Sequence, residues 1–181
     1  MARLIMFTGG ARSGKSRLAQ ERLLKFTEVA YIATAQALDE EMRQRVALHK
    51  AARPSRWHTL EASLDLSAAL RHAFELNPSA ILIDCLTLWL SNYMLKDWHE
   101  GWDAVNESAI LDNLQSALEF VINTPKEIEV VVVSNEVGCG IVPDNAMARA
   151  FRDLSGRANQ VLSAACAEVY FVTAGLPLKL K

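Results

Sequence analysis

Gly9-Gly10-Ala11-Arg12-Ser13-Gly14-Lys15-Ser16 has the spacing G-x-x-x-x-G-K-[ST]. It follows the apolar run Leu4 to Thr8 and precedes a helical pattern opening near Arg17, so the strand, loop and helix that a phosphate-binding loop needs occur in order. Glycine lets the backbone curl until successive N–H groups point inward, and the helix N-terminus adds positive potential at the same place. This assigns Lys15 to the β- and γ-phosphates of a nucleoside triphosphate and Ser16 to Mg²⁺. The competing reading is a glycine-rich turn that fits by chance, and the flanking strand and helix argue against it.

Outward from the loop, Val29 to Thr34, Ala80 to Asp84, Val130 to Ser134 and Val169 to Thr173 read as further strands. Their near-continuous apolar character implies cover on both faces. Helical patterns lie between them. The clearest runs from about Glu107 to Asn123, with Ile110, Leu111, Leu114, Leu118 and Val121 on one stripe before Pro125 stops it. Such alternation means βαβ units around a mostly parallel sheet. Ala174-Gly175-Leu176-Pro177 is turn-like, and Leu178 to Lys181 reads as a returning edge strand. The expected fold is therefore α/β, of the P-loop NTPase three-layer type, with a mostly parallel central sheet and a short antiparallel C-terminal edge strand. The polar, Trp-bearing stretch Lys96 to Asp103 reads as a surface loop.

A chain of 181 residues argues for one domain, residues 1–181, and at this size about 70% of the unfolded surface can be buried. With 51% hydrophobic and 22% charged residues the composition is that of an ordinary globular protein. Nineteen Lys and Arg against 21 Asp and Glu leave a net charge of −2. No chain-wide basic field exists to hold nucleic acid or anionic lipid, so any anion site must be local. Cys85, Cys139 and Cys166 form an odd set without a CxxC pair, which fits neither a disulfide framework nor a zinc site and suggests a reducing cytoplasm. The apolar start reaches its glycine turn too soon for a signal peptide, and no apolar stretch approaches transmembrane length.

Asp84 ends the run Ala80-Ile81-Leu82-Ile83 at the carboxyl edge of a buried strand. There it is placed to hold Mg²⁺ directly or through water, or alternatively to cap a helix beginning at Cys85. A signalling GTPase would need the guanine-reading motif N-K-x-D, which the chain lacks. Asp153-Leu154-Ser155-Gly156 spells D-x-x-G, but within the helical register Met147, Phe151, Leu154, Ala158 and Val161 rather than after a strand.

Beyond Thr8 to Ser16, the chain carries Tyr31-Ile32-Ala33-Thr34-Ala35, and Asp39-Glu40-Glu41-Met42 with Arg45, His49, Lys50, Arg53, Pro54 and Trp57. It also carries Asn135-Glu136-Val137-Gly138-Cys139-Gly140-Ile141-Val142-Pro143, followed by Arg149, Phe151-Arg152-Asp153, Gly156, Arg157, Asn159 and Gln160. On these residues the chain, across its full length, resembles the bifunctional cobinamide kinase/cobinamide-phosphate guanylyltransferase family of adenosylcobalamin biosynthesis. The resemblance implies two reactions: phosphorylation of the aminopropanol hydroxyl of adenosylcobinamide by ATP or GTP, then transfer of GMP from GTP to adenosylcobinamide phosphate. The products are adenosylcobinamide-GDP and pyrophosphate. It further implies His49 as the residue that carries GMP, and Lys15 of the phosphate loop stands beside it as the other catalytic candidate. Nucleotide contacts are implied at Gly9, Gly10, Ala11, Arg12, Ser13, Gly14, Lys15 and Ser16, at Thr34, Ala35 and Gln36, at Lys50, Ala51, Ala52 and Arg53, and at Glu61 and Asp84. Homo-oligomerisation, as a trimer, is implied by the family alone, whereas the cytoplasmic expectation rests on the cysteines. Two other readings stand beside it: a nucleotide-dependent regulatory switch that presents the Gly138 loop to a protein, and a small-metabolite kinase without the guanylyl step.

The residues around His49 also have a physical reading. Asp39 is a helix N-cap with Glu40 and Glu41 in the first turn, and the helix puts Leu38, Met42 and His49 on one stripe facing the body of the protein. A neutral imidazole can attack an α-phosphorus to give a phosphoramidate, and Lys50, Arg53 and Arg56 lie close enough to draw a polyphosphate. The alternative is a hydrogen-bonded core histidine. His58 is a local rival, while His72 and His99 read as surface residues. Gly138 and Gly140 are expected in a loop on the phosphate-loop edge of the sheet, as a substrate contact or as a plain strand-to-helix turn. Trp89, Trp98 and Trp102 either flank a macrocycle or belong to the core or a subunit contact.

Overall fold

The computed structural model describes residues 1–37, 39–51, 53–99 and 101–181, with all side chains in these spans except those of Glu41 and Arg45. Among the described residues seven strands and six helices succeed one another: β1 (Arg3–Gly9), α1 (Lys15–Leu23), β2 (Val29–Ala33), α2 (Glu40–Ala51), β3 (His58–Glu61), α3 (Leu66–Glu75), β4 (Ala80–Asp84), α4 (Leu86–Asp97), α5 (Ala104–Ile122), β5 (Glu129–Val133), α6 (Ala146–Ala165), β6 (Glu168–Thr173) and β7 (Leu176–Lys179). They form one sheet in the order β3-β2-β4-β5-β1-β6-β7. Every neighbouring pair is parallel except β6 and β7.

Successive strand residues point to opposite faces, and both faces are buried. Leu4, Met6, Ile81, Ile83, Val130 and Val132 pack toward α3, α5 and α6 through residues such as Leu70, Leu114, Leu118 and Leu162. Ile5, Phe7, Leu82, Val131 and Val133 pack toward Ala19 and Leu23 of α1 on the other face. The three layers follow from the continuous apolar strands, each of which needs cover twice.

Helix α4 runs through Lys96 and Asp97, so the expected surface loop shortens to the stretch after it, and two strands also differ from the sequence expectation. Strand β3 has no apolar run to announce it: in His58-Thr59-Leu60-Glu61 only Leu60 is apolar, and as an edge strand it is largely exposed. Strand β7 begins two residues earlier than expected, because Ala174 (φ 49°) and Gly175 (φ 79°) form a two-residue hairpin turn that pairs Thr173 with Leu176. Helix α5 starts at Ala104 because Asp103 and Asn106 close a reciprocal capping box. The D-x-x-G match lies inside α6. Trp89 is fully buried and donates its indole N–H to Leu64 O at 2.7 Å, which places it in the core rather than against a ligand. Among the described residues no helix is long and apolar enough to cross a membrane.

Parallel strands put their carboxyl ends on one edge. The loops after β1, β2, β4 and β5 meet there, which is where ligands enter sheets of this kind.

Candidate active site

A cleft of about 1220 Å³ opens along that edge. Its floor is the loop between β1 and α1. Two residues there adopt left-handed backbone, Arg12 (φ 56°) and Gly14 (φ 97°), and at Gly14 the absence of a Cβ relieves the strain. Gly9 is required for another reason: at φ 150° a Cβ would lie 2.2 Å from Val172 O. The Ser13 carbonyl accepts the Gly175 N–H at 2.9 Å, so the β6–β7 turn braces the loop from outside.

Lys15, at the first position of α1, is buried, and its ammonium donates to Gly10 O at 3.0 Å. Burial pulls its pKa below the ordinary lysine value, opposed by the charges of Cys85 and Asp84. It is thus a desolvated cation without a directly bonded carboxylate among the described residues, a condition that favours capture of an anion.

Ser16 Oγ donates to Asp84 Oδ1 at 3.3 Å, and the hydroxyl of Tyr31 donates to Asp84 Oδ2 at 2.8 Å. The capping alternative for Asp84 falls, because α4 has Cys85 at its N-cap with no side-chain cap bond. Among the described residues no group of three or more His, Cys, Asp or Glu is arranged to hold a metal. A hydroxyl and a carboxylate facing one another are the protein's usual share for Mg²⁺, which takes its other oxygens from phosphates and water. Ser16 and Asp84 therefore fit that ion.

The opposite wall comes from α2 and β3. Met42, Val46 and His49, spaced four and three residues apart, line the cleft from one face of α2. His49 is exposed on this wall and not packed into the body of the protein as the stripe suggested, while Leu38 lies outside the described residues. The cap is as expected, with Met42 N–H donating to Asp39 Oδ1 at 2.7 Å. His58 faces Glu28 at 3.3 Å and is not on the cleft wall.

Arg53 stacks its guanidinium 3.4 Å above the Tyr31 ring and donates to Thr59 Oγ1 at 3.4 Å, yet its Nε is buried without a partner among the described residues. Arg12, Lys15, Arg17, Lys50 and Arg53 all face the cleft, against Glu61, Asp84 and Glu136. A chain of net charge −2 thus gathers positive charge in one place.

Of the residues singled out from sequence, Ala11 to Ser16, Ala35, Gln36, His49, Lys50, Arg53, Glu61 and Asp84 share this cleft. Gly9 and Gly10 form the loop beneath it. Thr34 is fully buried and exchanges hydrogen bonds with Cys85, donating to its O at 2.7 Å and accepting from its N–H at 2.8 Å. Ala51 is exposed on α2 away from the lining, and Ala52 lies outside the described residues. Gly138 and Gly140 do not line the cleft, whereas Asn135, Glu136 and Val137 before them do. Sequence reasoning had no role for Tyr31, which joins Asp84 to Arg53. Its signals were its place in the Tyr31-Ile32-Ala33-Thr34-Ala35 likeness and a hydroxyl in an otherwise apolar strand.

The fold is shared with ATPases of type III secretion systems. One is the assembled EscN of enteropathogenic E. coli (TM-score 0.56, 11% identity, 95% of this chain and 43% of that one). Another is a prototypical ATPase of the same kind of system from pathogenic bacteria (TM-score 0.57, 10% identity, 98% and 56%). This chain thus spans about half of those proteins. Much nearer in sequence are the bifunctional adenosylcobalamin biosynthesis protein CobU of Salmonella typhimurium, 43% identical over 98% of this chain and 99% of that one, and CobP of Pseudomonas aeruginosa, 44% identical over 97% and 96%. The family described as cobinamide kinase / cobinamide phosphate guanyltransferase matches residues 5–180. With its phosphate loop, strand-end carboxylate and histidine-bearing helix gathered around one cleft, the chain belongs to that family.

Proposed function

We infer that residues 1–181 form one catalytic domain that performs both reactions of the family in a single cleft. The observation that carries this reading is that Lys15, Ser16 and Asp84 share the cleft with His49 of α2. One phosphate cradle then serves two chemistries.

In the first, the hydroxyl oxygen of adenosylcobinamide attacks the γ-phosphorus of ATP or GTP, the bond to the bridging oxygen breaks, and the nucleoside diphosphate leaves. Lys15 and the loop N–H groups hold the phosphates through this step. Ser16 and Asp84 would hold Mg²⁺, which would supply charge neutralisation on the phosphates. In the second, a ring nitrogen of His49 attacks the α-phosphorus of GTP and pyrophosphate departs. A phosphate oxygen of adenosylcobinamide phosphate then attacks the same phosphorus and frees the imidazole, giving adenosylcobinamide-GDP. Lys50 and Arg53 flank His49 and draw the polyphosphate to it. Thr34 supports the cleft from beneath through Cys85, and Glu61 and Gln36 line the nucleotide's path.

The test is GTP labelled at the α-phosphate, followed by denaturation. Wild type should retain acid-labile, alkali-stable label, as a phosphoramidate does, and pass it to adenosylcobinamide phosphate. His49→Ala should abolish both label and guanylyl transfer while corrinoid phosphorylation continues, and His58→Ala should keep the adduct. A kinase without guanylyl transfer would leave wild type unlabelled, and a regulatory switch would hydrolyse nucleotide without modifying the corrinoid. The three free cysteines suit a cytoplasmic location. Trimeric assembly is part of the same reading, with sedimentation of the purified chain as its measurement.

A further inference from the structure

The kinase step needs a group to take the proton of the attacking hydroxyl, and among the described residues three carboxylates line the cleft: Glu61, Asp84 and Glu136. Asp84 is engaged on both oxygens, by Ser16 and by Tyr31. Glu61 ends the edge strand β3, with β2, β4 and β5 all between it and the phosphate-loop strand β1. Glu136 differs from both. Strand β5 lies between β1 and β4, and its Val133 is level with Phe7 on one side and Asp84 on the other. Three residues further on, Glu136 stands beyond the strand ends, between the phosphate loop and the Asp84 strand.

Its main chain is fixed there. Ser134 N–H donates to Phe7 O at 2.9 Å and Glu136 N–H to Gly9 O at 3.0 Å, continuing the β1–β5 ladder up to the phosphate loop. Asn135 N–H donates to Thr87 Oγ1 at 2.6 Å, and Asn135 O accepts from Asn159 Nδ2 at 3.0 Å. The side chain is half-buried, and its Oε1 accepts Gly138 N–H at 2.7 Å, while Oε2 has no hydrogen-bond partner among the described residues. A carboxylate held by one oxygen and open at the other, on a rigid strand extension, is pre-organised to accept a proton.

We propose that Glu136 is the general base of the corrinoid phosphorylation. This rests on the kinase reading above. As the substrate oxygen bonds to the γ-phosphorus, its O–H bond breaks and the proton passes to Glu136 Oε2. The bridging P–O bond breaks with its electron pair going to the departing nucleoside diphosphate, and the proton is later released to water.

The experiment compares wild type with Glu136→Gln and Glu136→Ala in the full chain, measuring phosphorylated adenosylcobinamide and, separately, label from α-labelled GTP on the denatured protein. Glutamine keeps an acceptor for Gly138 N–H but takes no proton. Both variants should lose about a hundredfold in kinase kcat with little change in the KM for nucleotide. The ratio of kinase turnover to His49 labelling should fall by the same factor. Kinase activity within threefold of wild type in Glu136→Gln would overturn the proposal and leave Glu136 as a loop-holding residue. So would a parallel loss of labelling with a raised KM or a raised Mg²⁺ requirement, which would make it a nucleotide or metal contact. If Glu136→Ala does not fold, the glutamine variant decides alone. A wild-type chain that phosphorylates no corrinoid would remove the kinase reading itself, and this inference with it.

Discussion

At the level of single residues, the site separates into what a motif encodes and what only folding brings together. Lys15 and Ser16 were legible because the phosphate loop is local, with all its parts within eight residues. Tyr31 was not, since its partners Asp84 and Arg53 are 53 and 22 positions away in sequence and only the parallel pairing of β2 with β4 sets Tyr31 near that strand end. Lys15→Ala should lower both transfer rates about a hundredfold, the loss of a charged phosphate contact worth on the order of 3 kcal/mol. Wild-type rates in either assay would contradict a shared cradle. Tyr31→Phe deletes the hydroxyl that orients Asp84 and should raise the Mg²⁺ concentration for half-maximal activity several-fold, with Asp84→Asn shifting it further. Mg²⁺ titrations of the three proteins, with their melting temperatures, check this, and unchanged titrations would confine both side chains to packing.

The elements show a similar division. Strands β1, β2, β4, β5 and β6 are buried on both faces, so their apolar runs announce them, and the sheet's parallel character followed from the helices between them. β3 escaped notice because an exposed edge strand has no apolar run, and its pairing with β2 from Ala30 to Ala33 is made by main-chain groups that carry no sequence signal. The expectation for α2 was right about its cap and one-sided stripe but wrong about what that stripe meets. Met42, Val46 and His49 face an open cleft, and periodicity alone does not distinguish a ligand-facing stripe from a core-facing one. The join between β1 and α1 is where element and site meet most tightly. Gly9→Ala would place its Cβ against the β6 main chain, and because Val172 O belongs to a strand it has little room to yield. The variant should lose about 2 kcal/mol of stability by overpacking and more than tenfold in both activities, since the phosphate loop begins there. Denaturant melts measure the first, and a variant with wild-type melting would show that β6 gives way.

Taken as a whole, the molecule keeps its charge clusters at opposite ends of the sheet: cations around the cleft at the strand carboxyl ends, and a closed ionic network at the amino ends. There Arg22 of α1 meets Glu129 of β5 at 3.1 Å and Glu168 of β6 at 3.0 Å, Lys25 meets Glu129 at 3.1 Å, and Arg3 of β1 pairs with Glu168. Glu168 is 5% exposed and also accepts the Tyr170 hydroxyl at 2.6 Å. That hydroxyl, then Arg22 and Arg3, hold the Glu168 carboxyl below the ordinary glutamate value against the opposing effect of burial. Burial is the largest influence on Glu129 and raises it, but Lys25 and Arg22 together outweigh it and leave Glu129 lowered as well. A carboxyl whose folded pKa is depressed contributes its stability above the unfolded value, about 4.3, and loses it as pH falls through the folded one. The network should therefore act fully at neutral pH and fail in acid. Glu168→Gln leaves Arg22 and Arg3 short of a charged partner and should cost about 2 kcal/mol at pH 7, roughly 4 to 8 °C in melting temperature for a chain of this size. Both transfer activities should survive at moderate temperature, because the network stands a full strand length from Lys15. As pH falls through the folded-state value of the wild-type carboxyl, which lies below the ordinary glutamate value, the carboxyl becomes protonated and the gap between the two proteins should close. Melting curves from pH 7 to pH 3 provide the measurement: a gap that stays constant through the acid range would assign the loss to packing rather than to charge.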